Sequence, residues 1–303
     1  MKTILISGGN GLVGRELCEK LKAKGYTVRV LSTAKHKADQ KTTFYWNIDT
    51  KEIDKKAFEN IDVVVHLAGA NIGEKRWTAK RKQLIIDSRV KSAELIFRAV
   101  KETNTTLKVF VSASAVGYYG ATTSDKIFNE TDPPATDFLG KVCTLWEQAA
   151  EQFKASGIRT VKIRTGVVLT KQGGALEKMI APVKFGIGSA LGNGRQYLPW
   201  VHIDDLCEIY LKAIEDPDMN GAYNAVAPDN RTNAEFTRAL ARTLNKPFWF
   251  PAVPAFLLKL ILGKMAELLL YGSRVSPAKI MSMNFSFKFP DLESALADLF
   301  KGK

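Results

Sequence analysis

Cysteine is sparse, and what there is of it is scattered. The three residues in 303, Cys18, Cys143 and Cys207, show no Cys-x-x-Cys spacing, so neither a disulfide framework nor a zinc site is expected. Long apolar runs are also missing. The most apolar late stretch, Phe256 to Tyr271, is interrupted by Lys259, Lys264 and Glu267 and is too short to span a hydrocarbon core. It reads as a packed amphipathic helix. The start of the chain enters an apolar strand behind a single lysine, without the zones of a signal peptide, and the expected location is the cytoplasm. No G-x-S-x-G elbow, HExxH or G-x-x-x-x-G-K occurs, which removes support for hydrolase and NTPase activities.

Positive charge, by contrast, is plentiful, at a formal net +13. Such a chain draws anions by long-range attraction. Its lysines are dispersed and no basic run is interleaved with aromatics, so nucleic acid is not an expected partner, and neither is a membrane. Hydrophobic residues at 46% and charged residues at 25% are ordinary for a globular protein.

The chain opens with an apolar β-branched run, Thr3 to Ser7, then glycines, then an amphipathic segment from Leu12 to Lys24 closed by Gly25. Further strands are expected at Thr27 to Leu31, Thr43 to Trp46, Asp62 to Ala68, Lys108 to Ser112 and Thr160 to Arg164. Helices are expected at Thr78 to Thr103 and Phe138 to Ser156. Strands and helices in alternation imply βαβ crossovers and a parallel sheet buried on both faces. The expected class is α/β: a Rossmann-type doubly wound parallel sheet over residues 1–170, with a smaller mixed C-terminal cap over 171–303. Residues 199–227 are expected to return to the main sheet.

Gly8, Gly11 and Gly14 form G-x-x-G-x-x-G between the first strand and the first helix. In that setting the glycines permit a tight turn, backbone approach to a pyrophosphate and close helix–strand packing, while the helix dipole favours the anion. Dinucleotide choice is read at the end of the second strand, where an acid would bond the ribose 2′-hydroxyl. Residues 32–37 contain no acid, and Lys35 and Lys37 suit a 2′-phosphate, so NADP is favoured over NAD.

These residues, with Leu67-Ala68-Gly69, the run Ser112 to Gly120, Arg76-Trp77-Thr78, Asp87-Ser88-Arg89-Val90, Arg164 to Leu169 and Pro199 to Asp205, resemble the extended short-chain dehydrogenase/reductase superfamily. More narrowly, the chain is similar to its atypical nucleotide-sugar-epimerase-like branch, sometimes labelled cell-division-inhibitor-like, whose C-terminal domain has no assigned function. The resemblance implies a dinucleotide domain and a cap shaping a substrate cleft. It places Ser88 and Arg89 near the cofactor, Asn47 and Ile48 near the adenine, and Ser114 at the catalytic serine position. The full cofactor-lining set so expected is Gly8, Asn10, Gly11, Leu12, Val13, Gly14, Ser32, Thr33, Lys35, Asn47, Ile48, Leu67, Ala68, Gly69, Ser88, Arg89, Ser112 and Arg164. Dimers in the superfamily often form through the two long helices.

Where the chain departs from the superfamily is the Tyr-x-x-x-Lys dyad. Its helix reads Asp137 to Glu147 without a tyrosine, and registering on Trp146-Glu147 puts Leu139 and Cys143 at the dyad positions. A one-residue slip puts Phe138 and Val142 there. Tyr118 or Tyr119, beside Ser114, is the best remaining acid, although both could equally pack under the cap. His202 with Asp204 and Asp205 reads as structural rather than as a ligand set, with one acid capping the next helix. An arginine expected to grip sugar-nucleotide phosphates is replaced by Leu198, and Arg195 is a weak substitute. Two readings stand: an NADP(H)-dependent oxidoreductase or epimerase-like enzyme acting on a small polar molecule, and a catalytically silent NAD(P)-binding sensor whose cap meets a partner protein.

Overall fold

The computed structural model describes residues 2–301. In chain order the strands are β1 (Thr3–Ser7), β2 (Thr27–Ser32), β3 (Thr43–Asn47), β4 (Glu52–Ile53), β5 (Val63–His66), β6 (Val109–Ala115), β7 (Ile127–Phe128), β8 (Arg159–Thr165), β9 (Val167–Leu169), β10 (Trp200–His202), β11 (Gly221–Ala225) and β12 (Arg274–Val275). Eight of them make one sheet in the order β11-β8-β6-β5-β1-β2-β3-β4. All neighbours are parallel except β3 and β4. The chain leaves β1 in one direction for β2 and β3, then crosses back to β5 on the other side of β1. The carboxyl ends of β1 and β5 therefore flank a topological switch point, where such sheets bind ligands.

Alternation along each strand sends side chains to opposite layers. Ile4, Ile6, Val63 and Val65 pack under α1 (Leu12–Ala23) and a later helix, Ile203–Glu215. Leu5, Val64 and Phe110 pack on the long helices α2 (Ala79–Glu102) and α3 (Phe138–Ala155). Full burial of each such side chain stabilises by roughly 1.5–3 kcal/mol. The remaining helices are α4 (Gly174–Lys184), α5 (Ile203–Glu215, just mentioned), α6 (Asn233–Thr243), α7 (Ala255–Leu262), α8 (Glu267–Leu270), α9 (Ala278–Ser282) and α10 (Leu292–Phe300). A separate core of Leu176, Trp200, Phe236, Leu240, Leu292 and Leu296 packs α4, α6 and α10 together.

Residues 199–227 divide between two sheets. β11 joins the main sheet beside β8 and α5 covers its face, whereas β10 pairs with β9 in a separate two-stranded ladder. Two local expectations need correction. Phe256 to Tyr271 is not one packed helix: Gly263, at φ +60°, ends α7, no α7 residue is buried, and its apolar outer face stands in solvent. Nor does Asp204 or Asp205 cap α5. His202 does, its Nδ1 accepting from the Asp204 N–H at 3.2 Å, while Asp205 accepts from the Lys288 and Phe289 N–H groups at 2.7 and 3.0 Å. Among the described residues no helix is long and apolar enough to cross a membrane.

Candidate functional site

Steric constraints shape the crevice at the switch point. Gly8 adopts φ +75°, and a Cβ there would lie 2.8 Å from the carbonyl carbon of Leu67. A Cβ on Gly14 would lie 2.2 Å from Gly8 O, so the helix approaches the turn as only glycine allows. Gly11 is the N-cap of α1, extended at φ −77°, with no side chain capping the free N–H groups behind it. Those donors and the positive end of the helix dipole favour negative charge in front of the turn. The turn after β1 and the Leu67-Ala68-Gly69 loop after β5 are thus in backbone contact.

Two α2 side chains pin that second loop. Ser88 Oγ accepts from the Ala70 N–H at 2.9 Å, and Arg89 Nη1 donates to Ala70 O at 3.1 Å and Ile85 O at 2.9 Å. The Arg89 guanidinium lies against Gly69 and 4.8 Å from the Trp146 ring centroid. It has no carboxylate partner among the described residues, and its buried Nε has no hydrogen-bond partner. Burial lowers it to about 10, so it remains a cation at neutral pH. A buried, incompletely paired cation beside the crevice favours an electron-rich ligand there.

Behind the loop, Trp146 Nε1 donates to His66 Nδ1 at 3.3 Å, which fixes the proton on Nε2, 2.7 Å from Ser92 Oγ. Burial pushes this imidazole down to about 3. An unfolded histidine binds its proton near pH 6.5, so the native state loses stability as pH falls from 6.5 towards 3. The loss between pH 6.5 and 5 is about 2 kcal/mol at 1.36 kcal/mol per unit. His202, also lowered by burial, adds to it in the same direction. Urea titrations across that window should show the decline in the wild type and a shallower slope in His66→Gln. An unchanged slope would remove His66 from the account.

The other wall is a buried polar cluster. Ser114 and Arg164 are cross-strand partners on β6 and β8, and Glu147 reaches them from α3. Ser114 Oγ donates to Glu147 Oε1 at 2.8 Å; Arg164 donates from Nε to Oε1 at 2.8 Å and from Nη2 to Oε2 at 3.0 Å. Arg164 Nη1 also donates to Tyr119 Oη at 3.1 Å, and Tyr119 donates to Asn224 Oδ1 at 2.7 Å. The Arg164 guanidinium carbon sits 3.4 Å from the Tyr118 ring centroid.

This arrangement separates the two tyrosines. Tyr119 is buried, its hydroxyl is used on both sides, and burial pushes it up to about 12, so it is unsuited to proton transfer at neutral pH. Tyr118 is half-buried, its ring held on Arg164. Leu139 and Cys143, at the dyad positions, lie under the same turn: a Cβ on Gly117 would be 3.5 Å from Leu139 Cβ and 3.6 Å from Cys143 Sγ. Burial, reinforced by Glu147, raises the Cys143 thiol to about 12 and keeps it protonated. Lys162, the lysine on β8 beside this cluster, is paired with Glu151 and Glu147, and Lys279 donates to Ala222 O at 2.7 Å.

The remaining expected residues fall into three settings. Leu12, half-buried at the turn, lies against the start of α4, since a Cβ on Gly174 would meet Leu12 Cδ2 at 3.0 Å; Lys178 of the same helix donates to Gly73 O at 2.9 Å. Asn10 is exposed on the turn, while Val13 packs inward on the α1-side core. Ser32 Oγ accepts from the Ala34 N–H, Thr33 is exposed, and Lys35 lies over the Tyr45 ring at 5.5 Å. Asn47 Oδ1 closes the turn that follows β3 by accepting from Asp49 and Thr50, and Ile48 packs on the core. Ser112 is buried and donates to Ala113 O. Arg164 does not stand free to bond a cofactor, because its donors are committed to Glu147, Tyr119 and Glu130 O. Arg195 is exposed on its glycine loop. Sequence reasoning missed Glu147, Asn224 and His66; an acid on the buried stripe of α3 was the available signal for the first.

Comparison with known proteins bears on this geometry. The family model described as the NAD dependent epimerase/dehydratase family matches residues 4–226, and a domain of unknown function matches residues 253–299. An epimerase family protein of Mycobacterium leprae is 36% identical, covering 97% of this chain and 94% of its own. One from Staphylococcus aureus strain N315 is 37% identical over 99% of this chain and all of its own. Among solved structures, the human epimerase family protein SDR39U1 (isoform 2) with NADPH superposes with a TM-score of 0.89 at 30% identity, covering 99% of this chain and 100% of that one. The Thermus thermophilus UDP-glucose 4-epimerase complex with NAD shares the fold at a TM-score of 0.78 and 20% identity, covering 99% of each chain.

Proposed function

The chain belongs to the NAD dependent epimerase/dehydratase family, and from that premise we propose that it is an NADP(H)-binding oxidoreductase or epimerase-like enzyme using Tyr118 in place of the missing dyad. The observation that carries the binding half is the crevice: glycine backbone of the β1 turn against Leu67 and Ala68, with Arg89 incompletely paired beside it. Gly11 and the α1 amides would hold the pyrophosphate, and Ser88 and Arg89 keep the opposing loop in place. Lys35 and Lys37, with no acid among residues 32–37, favour the 2′-phosphate of NADP. Support also comes from the human relative, whose structure carries NADPH.

Bound there, a nicotinamide dinucleotide supplies a hydride donor or acceptor. The chain's part is to hold a small polar substrate and move one proton at Tyr118 Oη. Arg164 fixes the ring from beneath, and Ser114, tied to Glu147, orients the floor. The second reading, a silent binder, is favoured by the missing dyad: the helix offers Leu139 and Cys143, or Phe138 and Val142, at those positions. Absorbance of the reduced nicotinamide, followed with a panel of carbonyl compounds and sugar nucleotides, separates the two. Tyr118→Phe is expected to lower kcat by roughly 10²–10⁴-fold with NADPH affinity unchanged. Turnover indifferent to that change would remove Tyr118 from the chemistry, and tight binding with no turnover across the panel would favour the silent reading.

A further inference from the structure

The outer face of α7 is an apolar surface without a partner. Phe256, Leu257, Leu260 and Ile261 follow the i, i+1, i+4, i+5 spacing of one helical face, and Phe256 and Leu260 are each 72% exposed. The surface extends beyond the helix. Residues 190–192 and 253 are joined by backbone hydrogen bonds, and the position of a Cβ on Gly186 is 3.9 Å from Pro247. This brings Phe185, 82% exposed, and Trp249, 71% exposed, into the same region. Single exposed apolar residues are ordinary, but a contiguous set of large ones marks an interaction site.

Charge identifies the partner. The exposed apolar residues come from two segments, residues 178–203 and 242–266. These contain Lys178, Lys184, Arg195, Arg242, Lys246, Lys259 and Lys264, and the acids beside them are the flanking Glu177, Asp204 and Glu267. A predominantly positive rim repels a second copy of itself and attracts a polyanion. Side chains as exposed as Phe185, Trp249, Phe256 and Leu260 protrude rather than line a groove, which suits insertion into a soft apolar layer. Lysine stems beside them can keep their ammonium groups among headgroups.

We infer that this cap surface docks peripherally on an anionic lipid bilayer, with α7 lying in the interface. The sequence excluded a spanning helix, and this surface does not span; it revises the expectation that no membrane is a partner. The inference is independent of the reaction proposed above.

The native chain carries its own probe. Trp46, Trp77, Trp146 and Trp200 are buried, so Trp249 is the tryptophan a lipid can reach. Full-length protein is incubated with vesicles of phosphatidylglycerol and phosphatidylcholine, or of phosphatidylcholine alone, and sedimented; brominated lipid reads Trp249. The expected result is binding to the anionic vesicles with quenching, weakening as salt rises, and little binding to the neutral ones. Phe256→Ser with Leu260→Ser should weaken it at least about tenfold, with melting unchanged because neither side chain is buried. Trp249→Phe should abolish the quenching and keep the sedimentation. Failure to bind anionic vesicles, binding indifferent to the double substitution, or a concentration-dependent dimer dissolved by it would overturn the inference, as would an acidic protein bound where vesicles are not.

Discussion

Gly11→Asp is expected to weaken NADP(H) binding at least about 100-fold while leaving the fold as stable as the wild type. At the N-cap of α1, Gly11 has φ −77° and ψ 178°, a conformation open to any residue, and aspartate is among the preferred residues there. Its Cβ would lie 3.1 Å from Gly8 O, which a small shift relieves. The new carboxylate, however, would occupy the amides proposed to hold the pyrophosphate and repel it. Two unit charges about 4 Å apart interact by about 4 kcal/mol at the effective dielectric near a protein surface, enough for a hundredfold effect after screening. Gly14→Ala is the control of opposite kind. Its Cβ, 2.2 Å from Gly8 O, cannot be placed without moving backbone, so melting temperature falls and binding is lost only as a consequence. Titration calorimetry beside thermal melting separates the two; normal NADPH affinity in Gly11→Asp would show that the anion does not lie on this turn.

Glu147→Gln or Arg164→Met is expected to destabilise the protein by about 3–5 kcal/mol, the effect of stranding one member of a buried ion pair. Both residues are nearly inaccessible, and the pair is bidentate. It also links three parts of the molecule: β6 through Ser114, the turn carrying Tyr118 and Tyr119, and β11 through Asn224. Removing it should therefore loosen the Tyr118 ring as well as the fold. Denaturant unfolding measures the first. If both variants stay within about 1 kcal/mol of the wild type, the cluster is solvated rather than a buried floor.

The reading of β1, α1 and the glycine turn from sequence succeeded because its causes are local. A β-branched run, three glycines and an amphipathic helix each carry their own steric or periodic signature. The missing dyad was legible for the same reason, since the absence of a tyrosine between Asp137 and Glu147 needs no structure. Residues whose role depends on distant partners were harder to read. Arg164 looked like a cofactor contact, but its guanidinium meets Glu147 from α3 and Tyr119 from the turn after β6, and no local pattern encodes that meeting. Tyr118 and Tyr119 were indistinguishable as neighbours in sequence; the partner Asn224, 105 residues beyond Tyr119, consumes one of them. Periodicity at Phe256 to Tyr271 suggested one packed helix; Gly263 breaks it, and no local pattern says whether another element covers the apolar face of α7.

If the crevice between the β1 turn and the Leu67-Ala68-Gly69 loop holds NADP(H), calorimetric titration of the full chain with NADPH, and separately with NADH, gives saturable binding of one NADPH per chain, tighter than NADH. Binding of neither nucleotide would mean that this crevice is not a dinucleotide site.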